Sequence, residues 1–122
     1  MSWDKHAAGI YARQHASTMS QHRCAEYVRL AILAGGIKIR VTHDAKDYGP
    51  ALESAGFSVL AAGQHVREGD IVVIQPYPGG NTSGHMAIYD GSTWFSDFIQ
   101  RDMWGGPGYR KQQPAYKIYR KN

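Results

Sequence analysis

The order of apolar patterns along this 122-residue chain predicts an α+β fold. Apolar residues at helical spacing come first, and short apolar or alternating runs bounded by Gly, Pro and Asp follow. Among the latter, Ile71-Val72-Val73-Ile74 is a continuous apolar run after a Gly69-Asp70 turn, the pattern of a buried strand. Helices first and strands afterwards imply N-terminal helices packed on a small antiparallel β-sheet, within a single domain spanning 1–122.

Each element has its own signal. Trp3 to Gln14 reads as a short helix. Ser17, Thr18 and Ser20 offer capping side chains for a second helix from Gln21 to Ala34, which Gly35-Gly36 ends. Cys24, Val28, Ala31 and Ile32 share one stripe of that helix, so the only cysteine lies in its first turn and points inward. Lys38 to Val41 reads as a brief strand or extended connector. Asp47 to Ala55 reads as a short helix, with Asp44 or Asp47 as its cap and Gly56 as its stop. Phe57 to Leu60 and Tyr116 to Tyr119 read as strands, and Gly105-Gly106-Pro107-Gly108 as a loop.

The chemistry-bearing pair is Cys24 and His85. A thiol is a strong nucleophile as thiolate, and a helix N-terminus and an imidazole both lower its pKa. His85 opens the run His85-Met86-Ala87-Ile88-Tyr89, in which His85, Ala87 and Tyr89 share one face. After the Asp90-Gly91 turn, Trp94 to Phe98 is expected to pair antiparallel with that run. A three-residue loop, Asp90 to Ser92, pairs Tyr89 with Thr93 and sets Asp97 opposite His85; a two-residue loop sets Ser96 there. Asp97 is taken as the acceptor that orients the imidazole. The loop from Gln75 to Thr82, directly before this strand, is a candidate cleft wall or lid. Tyr77, Ser83, Gly84 and Trp94 are the candidate substrate-binding residues.

Composition narrows the function classes. Apolar residues make up 43% of the chain and aromatic residues 11%, which argues against disorder. The net charge of +4 favours anionic partners, but the basic residues are scattered and no nucleic-acid motif appears. One cysteine forms no internal disulfide. His6, His15, His22, His43 and His65 form no zinc-peptidase pattern, so no metal is expected. Glu26, Glu53 and Glu68 are isolated, which gives a carboxylate-pair glycosidase little support. The N-terminal residues do not read as a signal peptide and no apolar run reaches membrane-spanning length, so action outside the cytoplasm is expected to need a route other than general secretion.

Taken together, His22-Arg23-Cys24-Ala25-Glu26-Tyr27-Val28, Gly69-Asp70-Ile71-Val72-Val73 and Ser83-Gly84-His85-Met86-Ala87-Ile88-Tyr89-Asp90-Gly91 resemble the papain-like NlpC and CHAP group of cell-wall peptidases. The compact size and Trp94-Phe95-Ser96-Asp97 after the histidine strand are most similar to the type VI secretion amidase effectors. The resemblance covers Ser20 to Phe98. It implies hydrolysis of an amide in peptidoglycan peptides, with Cys24 as nucleophile, His85 as base and Asp97 as the polar third residue. It also implies no cofactor, delivery to the periplasm of a target bacterium, and a cognate immunity protein that blocks the cleft. A phage or autolytic CHAP-type endolysin would share the chemistry. A noncatalytic wall-binding or interaction domain would share only the fold.

Overall fold

A computed structural model describes residues 3–122. Helix α1 (Lys5–His15) starts where the Asp4 carboxylate accepts the Ala7 N–H at 2.9 Å. Helix α2 (Cys24–Ala34) packs against α1 and against the strand that begins with His85. A 3₁₀ turn over Ala45–Asp47 leads into α3 (Tyr48–Ser54), which Gly56 closes at φ +98°.

Five strands follow: β1 (Ser58–Val59), β2 (Ile71–Ile74), β3 (His85–Tyr89), β4 (Trp94–Phe95) and, after α4 (Pro107–Gln112), β5 (Tyr116–Arg120). They form one antiparallel sheet in the order β1-β5-β2-β3-β4. The expected α+β architecture is present. Strand periodicity sends Ile71, Val73, Met86 and Ile88 to the face covered by Val28, Ala31 and Ile32 of α2 and by Leu52 of α3. The alternate residues Val72, Ile74 and Ala87 face the other way, where Trp94, Trp104, Tyr109 and Ile118 cover them. A sheet covered on both faces explains why β2 reads as an unbroken apolar run.

Several local expectations are corrected. Helix α2 begins at Cys24 rather than Gln21, and no side chain from Ser17, Thr18 or Ser20 caps it. Lys38 to Val41, read as a brief strand or a connector, is a connector without regular structure. The supposed loop around Pro107 is the first turn of α4, with proline at a helix start where its missing N–H costs nothing.

The β3–β4 register also differs. Tyr89 pairs with Trp94 rather than Thr93, and Ile88 with Phe95. The extra loop residue is held by Asp90, whose Oδ1 accepts the N–H groups of Ser92 at 2.9 Å and Thr93 at 2.8 Å. Strand β4 ends at Phe95 and bends back on itself, so Ile99 bridges Phe95 and Asp97 never comes to lie opposite His85.

Candidate active site

The chain places Cys24 at the first position of α2 through a short turn. His22 has φ +59°, a left-handed conformation uncommon for a side chain with a Cβ. The amides on either side of it, Gln21 N–H and Arg23 N–H, both donate to Asp97 Oδ2, at 2.5 Å and 3.0 Å. Asp97 therefore serves the cysteine loop. It is not the imidazole's partner, contrary to the register expectation, and it is wholly buried.

His85 enters β3 from Gly84, which has φ +76°; a Cβ there would lie 2.5 Å from the Ile74 carbonyl oxygen, so only glycine fits. The His85 Nε2 lies 2.7 Å from Gln100 Oε1. Gln100 Nε2 donates to the carbonyl oxygens of Asp102 at 2.9 Å and Met103 at 3.3 Å. Those two acceptors turn the amide oxygen toward the ring, so Nε2 carries the proton and Nδ1 holds the lone pair. Gly105, at φ +80°, backs the pair closely: a Cβ there would sit 2.8 Å from His85 Nε2 and 3.1 Å from Gln100 Cδ. The acceptor that sequence reasoning missed is thus an amide. Gln100 lies beyond the point where β4 bends away, outside any register counted along a straight Trp94–Phe98 strand.

Electrostatics set the resting protonation. Burial pushes the Cys24 thiol up to about 11, and the buried Asp97 charge pushes it the same way; the backbone N–H groups of Met86, Ala25 and Cys24 pull it down. The expected lowering by the helix start is therefore outweighed by desolvation. Burial lowers the His85 pKa, opposed by the Gln100 hydrogen bond and the Asp97 charge. At neutral pH the pair rests as thiol and neutral imidazole.

Both groups open on one cleft of about 630 Å³. Ser83, Gly84 and Tyr109 line it, and its mouth carries His22, Arg23, Glu26 and Arg29. Ser83 Oγ donates to Asp44 Oδ1 at 2.9 Å, and this bond, with His43, holds the Asp44 carboxyl below its usual value. The Tyr109 hydroxyl is buried and has no hydrogen-bond partner among the described residues, and burial raises its pKa to about 12. Of the expected substrate-binding residues, Ser83 and Gly84 line the cleft; Tyr77 and Trp94 do not. Trp94 is buried against Val72, Ile74 and Ala87, a consequence of the shifted register. Tyr77 packs edge-on against Tyr109, 5.0 Å between ring centroids, and supports the wall from behind. No group of three or more His, Cys, Asp or Glu side chains able to hold a metal ion occurs among the described residues. No helix among them is long and apolar enough to cross a membrane.

No family model and no curated protein matches the sequence. Solved structures do. The chain superposes on a chain of the type VI native effector–immunity complex Tae3–Tai3 from Ralstonia pickettii with a TM-score of 0.90 and 50% sequence identity, over 98% of this chain and 100% of the matched one. The selenomethionine form of that complex gives a TM-score of 0.88 at 50% identity, over 93% and 99%. Half of the residues are identical over nearly the whole length, and the chain belongs to the Tae3 family of type VI effectors.

Proposed function

We propose that this effector is an antibacterial peptidoglycan amidase or endopeptidase, a single papain-like cysteine hydrolase domain of the NlpC and CHAP type. The observation that carries the reading is the cleft itself: Cys24 at a helix start and His85 at a strand start open on the same space, with the imidazole's far nitrogen fixed by Gln100.

In this mechanism His85 Nδ1 takes the thiol proton as Cys24 Sγ attacks a peptide carbonyl carbon, forming the C–S bond. A neutral pair at rest makes proton transfer and attack coincide, so no standing thiolate is exposed to oxidation between turnovers. The Cys24 N–H holds the developing oxyanion. The C–N bond then breaks as the imidazolium gives its proton to the leaving amine. His85 next deprotonates water, which attacks the thioester; the acid product leaves and the thiol is restored. Gln100 Oε1 accepts the Nε2–H throughout, which keeps the ring in one tautomer and stabilises its positive charge.

The substrate is an amide of a peptidoglycan stem peptide, at D-glutamyl–meso-diaminopimelate or at the D-Ala–meso-diaminopimelate cross-link. Delivery to the periplasm of a target cell and a cognate immunity protein that covers the cleft follow from likeness to an effector crystallised with its Tai3 partner.

Mass analysis of purified muropeptides tests the activity. Wild type is expected to convert them to products one water heavier in total, identifying the bond, and Cys24→Ala is expected to release none. Equal digestion by both proteins would remove Cys24 from the mechanism.

A further inference from the structure

One five-residue segment after β4 reaches both halves of the cleft. From Ser96 to Gln100 the chain bends sharply: Ser96 N–H donates to Phe98 O at 3.1 Å, and Gln100 N–H to Trp94 O at 3.0 Å. Its far end carries Gln100, which holds His85. Its near end carries Asp97, which holds the cysteine loop through Gln21 N–H and Arg23 N–H. The same segment is stitched to the N-terminal part of that loop, since Ser17 N–H donates to Asp97 O and Ile99 N–H to Ser17 O, both at 2.9 Å.

Asp97 is an unusual residue to bury. Its relative exposure is 0%, and no cation pairs with it among the described residues. Desolvating a carboxylate is costly unless its oxygens accept strong hydrogen bonds. Here two backbone N–H groups serve Oδ2, and the Ser96 hydroxyl lies 3.3 Å from Oδ1. Between those two amides sits His22 in its left-handed conformation. Such a conformation persists when its surroundings over-determine it, and the carboxylate bonded on both sides does that. Arg23 is the residue before Cys24, so the clamp is one peptide from the sulfur-bearing residue.

We propose that Asp97 is a positioning residue for the nucleophile: its carboxylate clamps the Gln21–Arg23 turn and so fixes the Cys24 thiol at the start of α2 against the histidine wall. The segment 96–100 thereby sets nucleophile and base from one piece of chain, and a displacement of it would move both. The inference rests on the hydrolase reading above for its consequence in activity, but not for the clamp itself.

Two substitutions at Asp97 divide clamp from charge. Asp97→Asn keeps a carbonyl oxygen for the two N–H groups and turns its amide toward the Ser96 hydroxyl, which becomes the acceptor. Asp97→Ala removes the clamp. The titratable groups around the thiol are Asp97 and Tyr109, whose charges act on it, and His85, His22, Arg23, Glu26, Arg29, His43 and Asp44, which line the same cleft. The readouts are kcat and KM on a stem peptide, and the pH dependence of iodoacetamide alkylation at Cys24, which needs no substrate.

For Asp97→Ala, kcat is expected to fall about 10²-fold with KM within a few-fold of wild type. For Asp97→Asn, activity is expected to stay within about tenfold of wild type, and the alkylation midpoint to move down as the Asp97 charge is removed. Wild-type kcat in a folded Asp97→Ala protein overturns the proposal, as does an Asp97→Asn protein as inactive as the alanine variant. If Asp97→Ala does not fold, the Asn variant decides, and a loss of activity beyond about tenfold in a folded Asp97→Asn protein overturns the proposal. Failure of the hydrolase reading shows separately, as peptide cleavage by Cys24→Ala.

Discussion

His85→Ala is expected to lower kcat on a stem peptide by at least about 10³-fold with little change in KM, because the residue acts on protons in flight rather than on bound substrate. The loss is large because the resting thiol sits near 11 and so depends on its base at every pH where a cell lives. A cysteine held as a standing thiolate would lose less. The pH profile has a definite sign. Burial depresses the His85 pKa below its ordinary value of 6.5, so the imidazole remains a base at pH values where an exposed histidine is protonated. Activity is therefore expected to persist below pH 6.5 and to fall only as pH drops through the depressed value. Stability follows the same window: the unfolded chain takes up a proton near 6.5 and the folded one does not, so the fold loses stability as pH falls below that point. A kcat/KM profile on the wild type, with a thermal melt at each pH, checks both.

Gly105→Ala carries the second large effect. The added methyl would stand 2.8 Å from His85 Nε2 and 3.1 Å from Gln100 Cδ, and the backbone at φ +80° costs an alanine about 1–2 kcal/mol in its own right. The ring and amide cannot both stay in place. Displacing the base by a fraction of an ångström is expected to reduce kcat about 10²-fold. Asp102 accepts the Gly105 N–H at 3.2 Å and pairs with Arg110, so the loop is tied down and has little freedom to absorb the clash. Kinetics beside a melting curve separate the two costs: an alanine variant that melts a few degrees lower but turns over normally would show that the His85–Gln100 bond does not govern the rate.

The parts of this architecture that were legible in the sequence are those written by periodicity. Helix α2, the buried strand Ile71–Ile74 and the strand opening at His85 all carry uninterrupted local patterns, and the structure has each of them. That Cys24 and His85 line one cleft was expected from the chemistry of the pair and the resemblance rather than from periodicity, since Met86 and Ile88, not His85, are the residues of β3 that face α2. What failed was counting across a turn. A single extra residue in the loop after Tyr89, stabilised by the Asp90 side chain, changed the partner of every later residue, and Trp94, paired with Tyr89, is buried against Val72, Ile74 and Ala87 instead of lining the cleft. The bend after Phe95 then carried Asp97 to the cysteine loop and Gln100 to the imidazole. Hydrophobic pattern does not encode that exchange, because both residues are polar and both are buried. The thiol's raised pKa was hidden for a different reason: a helix start and an imidazole argue for lowering, and only three-dimensional burial reveals that desolvation prevails.

The most direct measurement is the mass of the protein itself, acid-quenched during turnover of a stem peptide. Wild type is expected to carry one acyl group as a thioester that maps to Cys24, absent from His85→Ala. An adduct on any other residue, or turnover at the wild-type rate by Cys24→Ala with no adduct, would contradict the account.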